Sequence, residues 1–273
     1  MRTLALLAIL LTLIAPMVPA CTGVVIAREG QVLVGGNEDW TRWDSYMWAT
    51  PPSGGRIYGA VYFGYEIRGE WGHVSDFWYE FQGVNEQGLY FDSFGAPCDF
   101  PETTQDNPNR GFAIMVDAME SCATVAEAVA LFERSNLAFM QCQQFLFVDK
   151  HGAAAVVEGD ETVWMEGDTL ALTNFYLSNP SLGNHPCWRY SRVMAMLHAD
   201  ATPSEERVVQ LLDAASHAGT RYSVICNLTE GTAQLSFAHN FLRLATLDIL
   251  KLCTTGHERI PISELVENAE SAR

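Results

Sequence analysis

The sequence predicts an α+β fold whose frame is antiparallel sheet. Strand-like runs are joined by short turns, so neighbouring strands must run antiparallel. Helical segments gather between these hairpins and do not alternate with single strands, as a parallel βαβ sheet would require. Apolar residues make up 48% of the chain, enough for a substantial core.

Thr22 to Ala27 is β-branched and apolar, Arg28-Glu29-Gly30-Gln31 is a turn, and Val32 to Gly35 resumes the strand pattern. Asn37-Glu38-Asp39-Trp40 ends this first hairpin, and residues 41–55, aromatic and Gly/Pro-rich, read as an irregular loop. Phe77 to Gly83 and Leu89 to Phe94 flank the turn Val84–Gly88. Residues 95–110 are polar and proline-containing, which predicts a surface loop. Thr124-Val-Ala-Glu127 is a capping box opening a helix through about Arg134. A third hairpin joins Gln144–Val148 to Ala153–Glu158, and Thr162–Met165 and Thr169–Thr173 follow as strands. Pro186 to Ala199 predicts a helix with Trp188, Val193, Met194 and Leu197 available for its buried face. Thr202-Pro203-Ser204-Glu205 is a second capping box, with proline at the first position of a helix near 203–216. Tyr222–Asn227 and Ala233–Ala238 form a fourth hairpin, and the polar tail after Pro261 is expected to fray. No internal repeat or low-complexity tract is present.

Residues 1–20 read as a secretion signal. Arg2 is their only charge, Leu4 to Ile14 is apolar but too short to span a membrane, and Val18 and Ala20 satisfy the small-residue rule before a cut. This predicts residues 21–273 as one mature domain, secreted or periplasmic, that begins with Cys21. A first-residue cysteine holds a thiol and a free α-amine together, and the amine can take the thiol proton near neutral pH. Two other readings compete: an ordinary structural cysteine, or a lipidated one, since Val-Pro-Ala-Cys loosely resembles a lipobox although proline fits it poorly. The net charge of −17, one unit more negative once Arg2 leaves, disfavours nucleic acid and anionic membranes as partners. None of the seven cysteines forms a C-x-x-C pair and no histidines have HExxH spacing, so no metal or cofactor is expected. The six cysteines other than Cys21 allow up to three disulfides of unassigned pairing, or buried free thiols.

Four places then resemble one family in its order. Cys21-Thr22 followed by Gly36-Asn37-Glu38-Asp39-Trp40 resembles the start of mature choloylglycine hydrolases and penicillin V acylases. Gly83-Val84-Asn85-Glu86-Gln87-Gly88-Leu89 is similar to a turn bearing that family's oxyanion asparagine, Leu172-Thr173-Asn174 to its second asparagine motif, and Trp188-Arg189-Tyr190-Ser191-Arg192 to its Ser-Arg segment. The region from Tyr222 to Ile260 also resembles the C-terminal half of this broader group of linear-amide hydrolases.

The resemblance implies a four-layer αββα N-terminal nucleophile hydrolase sandwich. It implies Cys21 as nucleophile with its own amine as base, Asp39 orienting both, Asn85 and Asn174 as amide donors, and Arg192 completing the polar network, with Arg189 a rival for that role. Each has a plainer reading: Asp39 as a strand-end cap, Asn85 as a turn residue, Asn174 as a loop residue, Arg192 as a solvated helix arginine. The reaction implied is hydrolysis of a small-molecule amide, by a monomer or homo-oligomer; an acyltransferase of the isopenicillin-N type and a lipidated binding protein are the alternatives. The bile-salt and penicillin members carry arginine where this chain has Gly36, so their substrates do not carry over.

Overall fold

The computed structural model describes residues 21–42, 44–67, 77–98, 107–140, 142–183, 185 and 187–271. The expected leader over 1–20 and residues 99–106 of the expected loop lie outside them.

The chain opens with β1 (Thr22–Arg28), β2 (Gln31–Asp39), β3 (Ser45–Thr50), β4 (Ala60–Ile67), β5 (Phe77–Asn85) and β6 (Leu89–Gly95). Helices α1 (Ala113–Ser121) and α2 (Val125–Glu133) follow, then β7 (Gln143–Asp149), β8 (Ala154–Glu158), β9 (Glu161–Trp164) and β10 (Thr169–Leu172). The last third holds α3 (Trp188–Ala199), α4 (Glu205–Ala215), β11 (Thr220–Asn227), β12 (Thr232–Phe237), β13 (Ala245–Asp248), α5 (Ile249–Thr255), β14 (His257–Pro261) and α6 (Ile262–Ser271). A six-stranded sheet has the order β10-β1-β2-β11-β12-β13, and an eight-stranded sheet the order β14-β3-β4-β5-β6-β7-β8-β9; every pairing is antiparallel.

The layering follows from residue alternation in the strands. Val24, Ile26 and Leu33 point away from the second sheet and meet Val193, Leu197, Val208, Leu211 and Leu212 of α3 and α4. Val25 and Val34 point the other way, into the core shared with the eight-stranded sheet. Helices α1 and α2 cover that sheet's outer face over β5 to β8, and α5 and α6 close one side of the sandwich. No helix among the described residues is long and apolar enough to cross a membrane.

The four hairpins form as expected, and Thr124 and Glu127 make both hydrogen bonds of the capping box. Several expectations are corrected. Residues 45–50 are not loop: β3 lies between β14 and β4, and Met47, Trp48 and Ala49 are all buried, so no polar face alternates to mark a strand. The β2 strand runs on past Gly35 and ends at Asp39, within the Asn37–Trp40 segment expected to close the hairpin, and it pairs with β11. Ser204, not Thr202, caps α4, its hydroxyl accepting from Arg207 N, and Pro203 precedes the helix. The tail is helical because Ile262 and Val266 are buried. Helix α1 lacks a side-chain cap, which left it without a start signal. One disulfide, Cys98–Cys142, is present among the described residues, and Cys21, Cys122, Cys187, Cys226 and Cys253 are free.

Candidate active site

Cys21 stands at the head of β1, 3% exposed. The β1–β2 register pairs Thr22 with Asn37 and so places Cys21 opposite Glu38. Both side chains enter the layer between the sheets, with Cys21 Sγ 3.5 Å from Glu38 Oε2. Burial pushes the thiol's pKa up, and Glu38, Asp39 and Asp92 add to that rise, while a hydrogen bond from the Asp39 backbone opposes it. Glu38 is also raised, first by burial and then by Asp92 and Asp39.

Asp39 projects from the other face of β2. Its carboxylate accepts from Thr220 Oγ1, lies 2.9 Å from His217 Nε2 and 3.7 Å from Arg189 Nη1. His217 Nδ1 accepts from the Gly219 backbone at 2.9 Å, so Nε2 carries the hydrogen that points at Asp39. The chain reaches this corner through a bulge in β11 between Thr220 and Tyr222, which sends Arg221 Nε to the Trp40 carbonyl.

Arg189 ties the corner together. Its Nη1 donates to the Cys21 carbonyl and, at 2.8 Å, to Thr22 Oγ1; its Nη2 donates to Asn174 Oδ1 at 3.0 Å. It lies in the first turn of α3, which Cys187 opens by accepting from Tyr190 N at 3.3 Å. A cation is unfavourable at a helix N-terminus, and here the Cys21 carbonyl and Asp39 offset that cost. Asn174 Nδ2 donates to the Gly95 carbonyl at 2.7 Å, which leaves a second Nδ2 hydrogen.

Cys21, Asp39 and Asn174 therefore converge, and two further sequence-predicted residues do not. Arg192, three residues on from Arg189, is exposed and lies outside the buried stripe; Arg189 shares that stripe with Val193 and Leu197 and takes the place expected of Arg192. Asn85 sits at the opposite end of the sandwich, in a cleft with Lys150, Asn227 and Leu228. Asn227 pairs with Leu33, and Thr220 with Asp39. The two ends are thus roughly 20 Å apart at ~3.3 Å per residue. All four of its side-chain bonds are spent on its turn: Nδ2 donates to the Met119 and Cys122 carbonyls at 2.8 and 2.7 Å, and Oδ1 accepts from Gln87 N and Leu89 N at 3.0 Å each. Asn85→Asp would set a carboxylate against two carbonyl oxygens. It is expected to cost about 3 kcal/mol of stability or more in a thermal or urea melt, with turnover per folded molecule at the parental value. A stable variant with lost turnover would return Asn85 to the site.

Gly36 has a structural reason. A Cβ there would overlap Asp92 Oδ2 and Gln82 Nε2, which bond each other at 2.9 Å. These two side chains stand where a longer residue at position 36 would begin. His217, Thr220, Gln82 and Asp92 were not marked by motif; Glu38 lies within one but was given no role, although the hairpin register alone places it across from Cys21. Among the described residues no group of three or more His, Cys, Asp or Glu could hold a metal ion.

No protein-family model matches the sequence. No curated protein matches it. Solved structures do match. A variant of the conjugated bile acid hydrolase from Clostridium perfringens aligns over 88% of this chain and 96% of its own, with TM-score 0.66 and 14% identity. Penicillin V acylase from Agrobacterium tumefaciens aligns over 86% and 87%, with TM-score 0.64 and 16% identity. The Caenorhabditis elegans N-acylethanolamine-hydrolyzing acid amidase ortholog aligns over 77% and 93%, with TM-score 0.56 and 15% identity. The chain has their fold, an α+β sandwich of two antiparallel sheets and helices.

Proposed function

We propose that this chain is a cysteine-dependent amidase, exported and trimmed so that Cys21 becomes its first residue, which hydrolyses a linear N-acyl amide of a small molecule. The observation that carries this reading is the convergence of Arg189 on the Cys21 carbonyl, Thr22, Asn174 and Asp39. That network fixes the residue that would bear both nucleophile and base. The fold shared with three enzymes named for amide substrates supports it. The burial of the thiol between two sheets favours catalysis over a lipid anchor, which needs its sulfur at the surface.

In this mechanism the α-amine takes the thiol proton and the sulfur attacks the amide carbon. The Asn174 Nδ2 hydrogen left over from Gly95 is the side-chain donor available to the oxyanion. As the C–N bond breaks, the ammonium returns its proton to the leaving nitrogen. Water then attacks the thioester, again giving a proton to the amine, and the acid leaves as the thiolate and its proton are restored. Arg189 and Asp39 hold Cys21 in place and do not exchange protons. Because an amide nitrogen is not a base, a chain with methionine left before Cys21 is expected to be inactive until trimmed. The check is turnover of N-acyl amino acids, N-acyl lactones, penicillin V and conjugated bile salts, beside the intact mass. Full turnover by an untrimmed chain would overturn the amine's role.

A further inference from the structure

We propose that Glu38 is a positioning residue of this reaction, a carboxylic acid whose O–H donates to the Cys21 sulfur and holds it as thiolate. The inference rests on the amidase reading for its purpose, but its geometry stands apart from it. Cys21 Sγ and Glu38 Oε2 are 3.5 Å apart, Glu38 is fully buried, and its Oε1 has no hydrogen-bond partner.

The groups that act electrostatically on or with Glu38 are acidic or phenolic: Cys21 from the head of β1, Tyr65 from β4, Tyr79 from β5, Tyr90 and Asp92 from β6, Tyr222 from β11, and, from the opposite face of β2, Asp39. Arg189 pairs with Asp39, and Arg221 bonds the Trp40 carbonyl and acts electrostatically on Tyr65; the charges that shift Glu38 itself are those of Asp92 and Asp39. An ionised Glu38 would be a buried charge beside Asp92, and burial with that neighbour raises its proton affinity. A thiolate next to an ionised Glu38 is disfavoured twice. Next to a protonated Glu38 it gains an O–H donor, a charge-assisted bond. The thiol proton goes to the α-amine, and the Glu38 proton stays where it is.

The sign follows. The supporting form is present below the folded-state pKa of Glu38, which is raised, and is lost as pH rises through it. The test reads the thiol itself, so it survives failure of the amidase reading. Trimmed parent, Glu38→Gln and Glu38→Ala chains would be alkylated with iodoacetamide across pH. Mass spectrometry of the Cys21 peptide separates it from Cys122, Cys187, Cys226 and Cys253. At the acid end, parent and Gln variant are expected to react alike and the Ala variant about tenfold slower, one unit of thiol pKa. Towards alkaline pH the parent is expected to fall below the Gln variant, whose amide donor does not titrate. Superimposable parent and Gln profiles, or an Ala variant at the parental rate at the acid end, overturn the proposal. So does slow reaction of the Gln variant at every pH, the result expected of an ionised Glu38 paired with the α-ammonium. If the Ala variant does not fold, the parent and Gln profiles decide.

Discussion

Serine in place of Cys21 is expected to lower turnover by about 10³-fold or more, roughly 4 kcal/mol of transition-state stabilisation, with little change in melting temperature. The hydroxyl is a much weaker nucleophile than a thiol beside an amine. It fills nearly the same space and can donate to Glu38 Oε2, the present partner of the thiol. Parent and variant would be compared by kcat/KM on whichever amide the parent hydrolyses, and by thermal melt. Equal kcat/KM would remove Cys21 from the mechanism, and with it the need for a free N-terminus.

Arg189→Lys is expected to lower turnover by about 10²-fold, the scale of losing a group that positions the reacting atoms. A single ammonium cannot reproduce a guanidinium that reaches the Cys21 carbonyl and Thr22 through Nη1 and Asn174 through Nη2. Lysine keeps the positive charge opposite Asp39, so the variant avoids the 3–5 kcal/mol typical of leaving a buried charge unpaired. Arg192→Ala is the control and is expected to behave as the parent, because Arg192 is exposed. The reverse pattern, with Arg192→Ala inactive and Arg189→Lys active, would exchange the two roles.

What could be read from the sequence was mostly local. The first hairpin and the Thr124 capping box are written in adjacent residues, and Cys21 and Asp39 stand where that hairpin begins and ends. The choice between Arg189 and Arg192 was decidable as well. Arg189, Val193 and Leu197 recur every four residues on one helix face, and Arg192 falls outside that stripe. Other features depend on contacts distant in the chain. The β3 strand looked like loop because one of its neighbours, β14, lies about two hundred residues away in sequence and its faces are covered alike. Asn85 fits a turn and an oxyanion donor equally until the carbonyls of Met119 and Cys122 are seen to occupy its amide. His217 had no motif, and it meets Asp39 across 178 positions because the bulged start of β11 lies along β2.

Gly36 also constrains the order in which the layer between the two sheets could be rebuilt. An arginine introduced there alone would meet the Gln82–Asp92 pair before it reached any ligand. The substitution is therefore epistatic. A smaller residue at 82 has to come first, so that Asp92 can turn aside and then serve as the newcomer's counter-charge. In the opposite order the intermediate carries an overpacked core, which typically costs 1–3 kcal/mol. A library that varies position 36 by itself would consequently return glycine, whereas one that varies 36, 82 and 92 together has a passable route to a cation at this position.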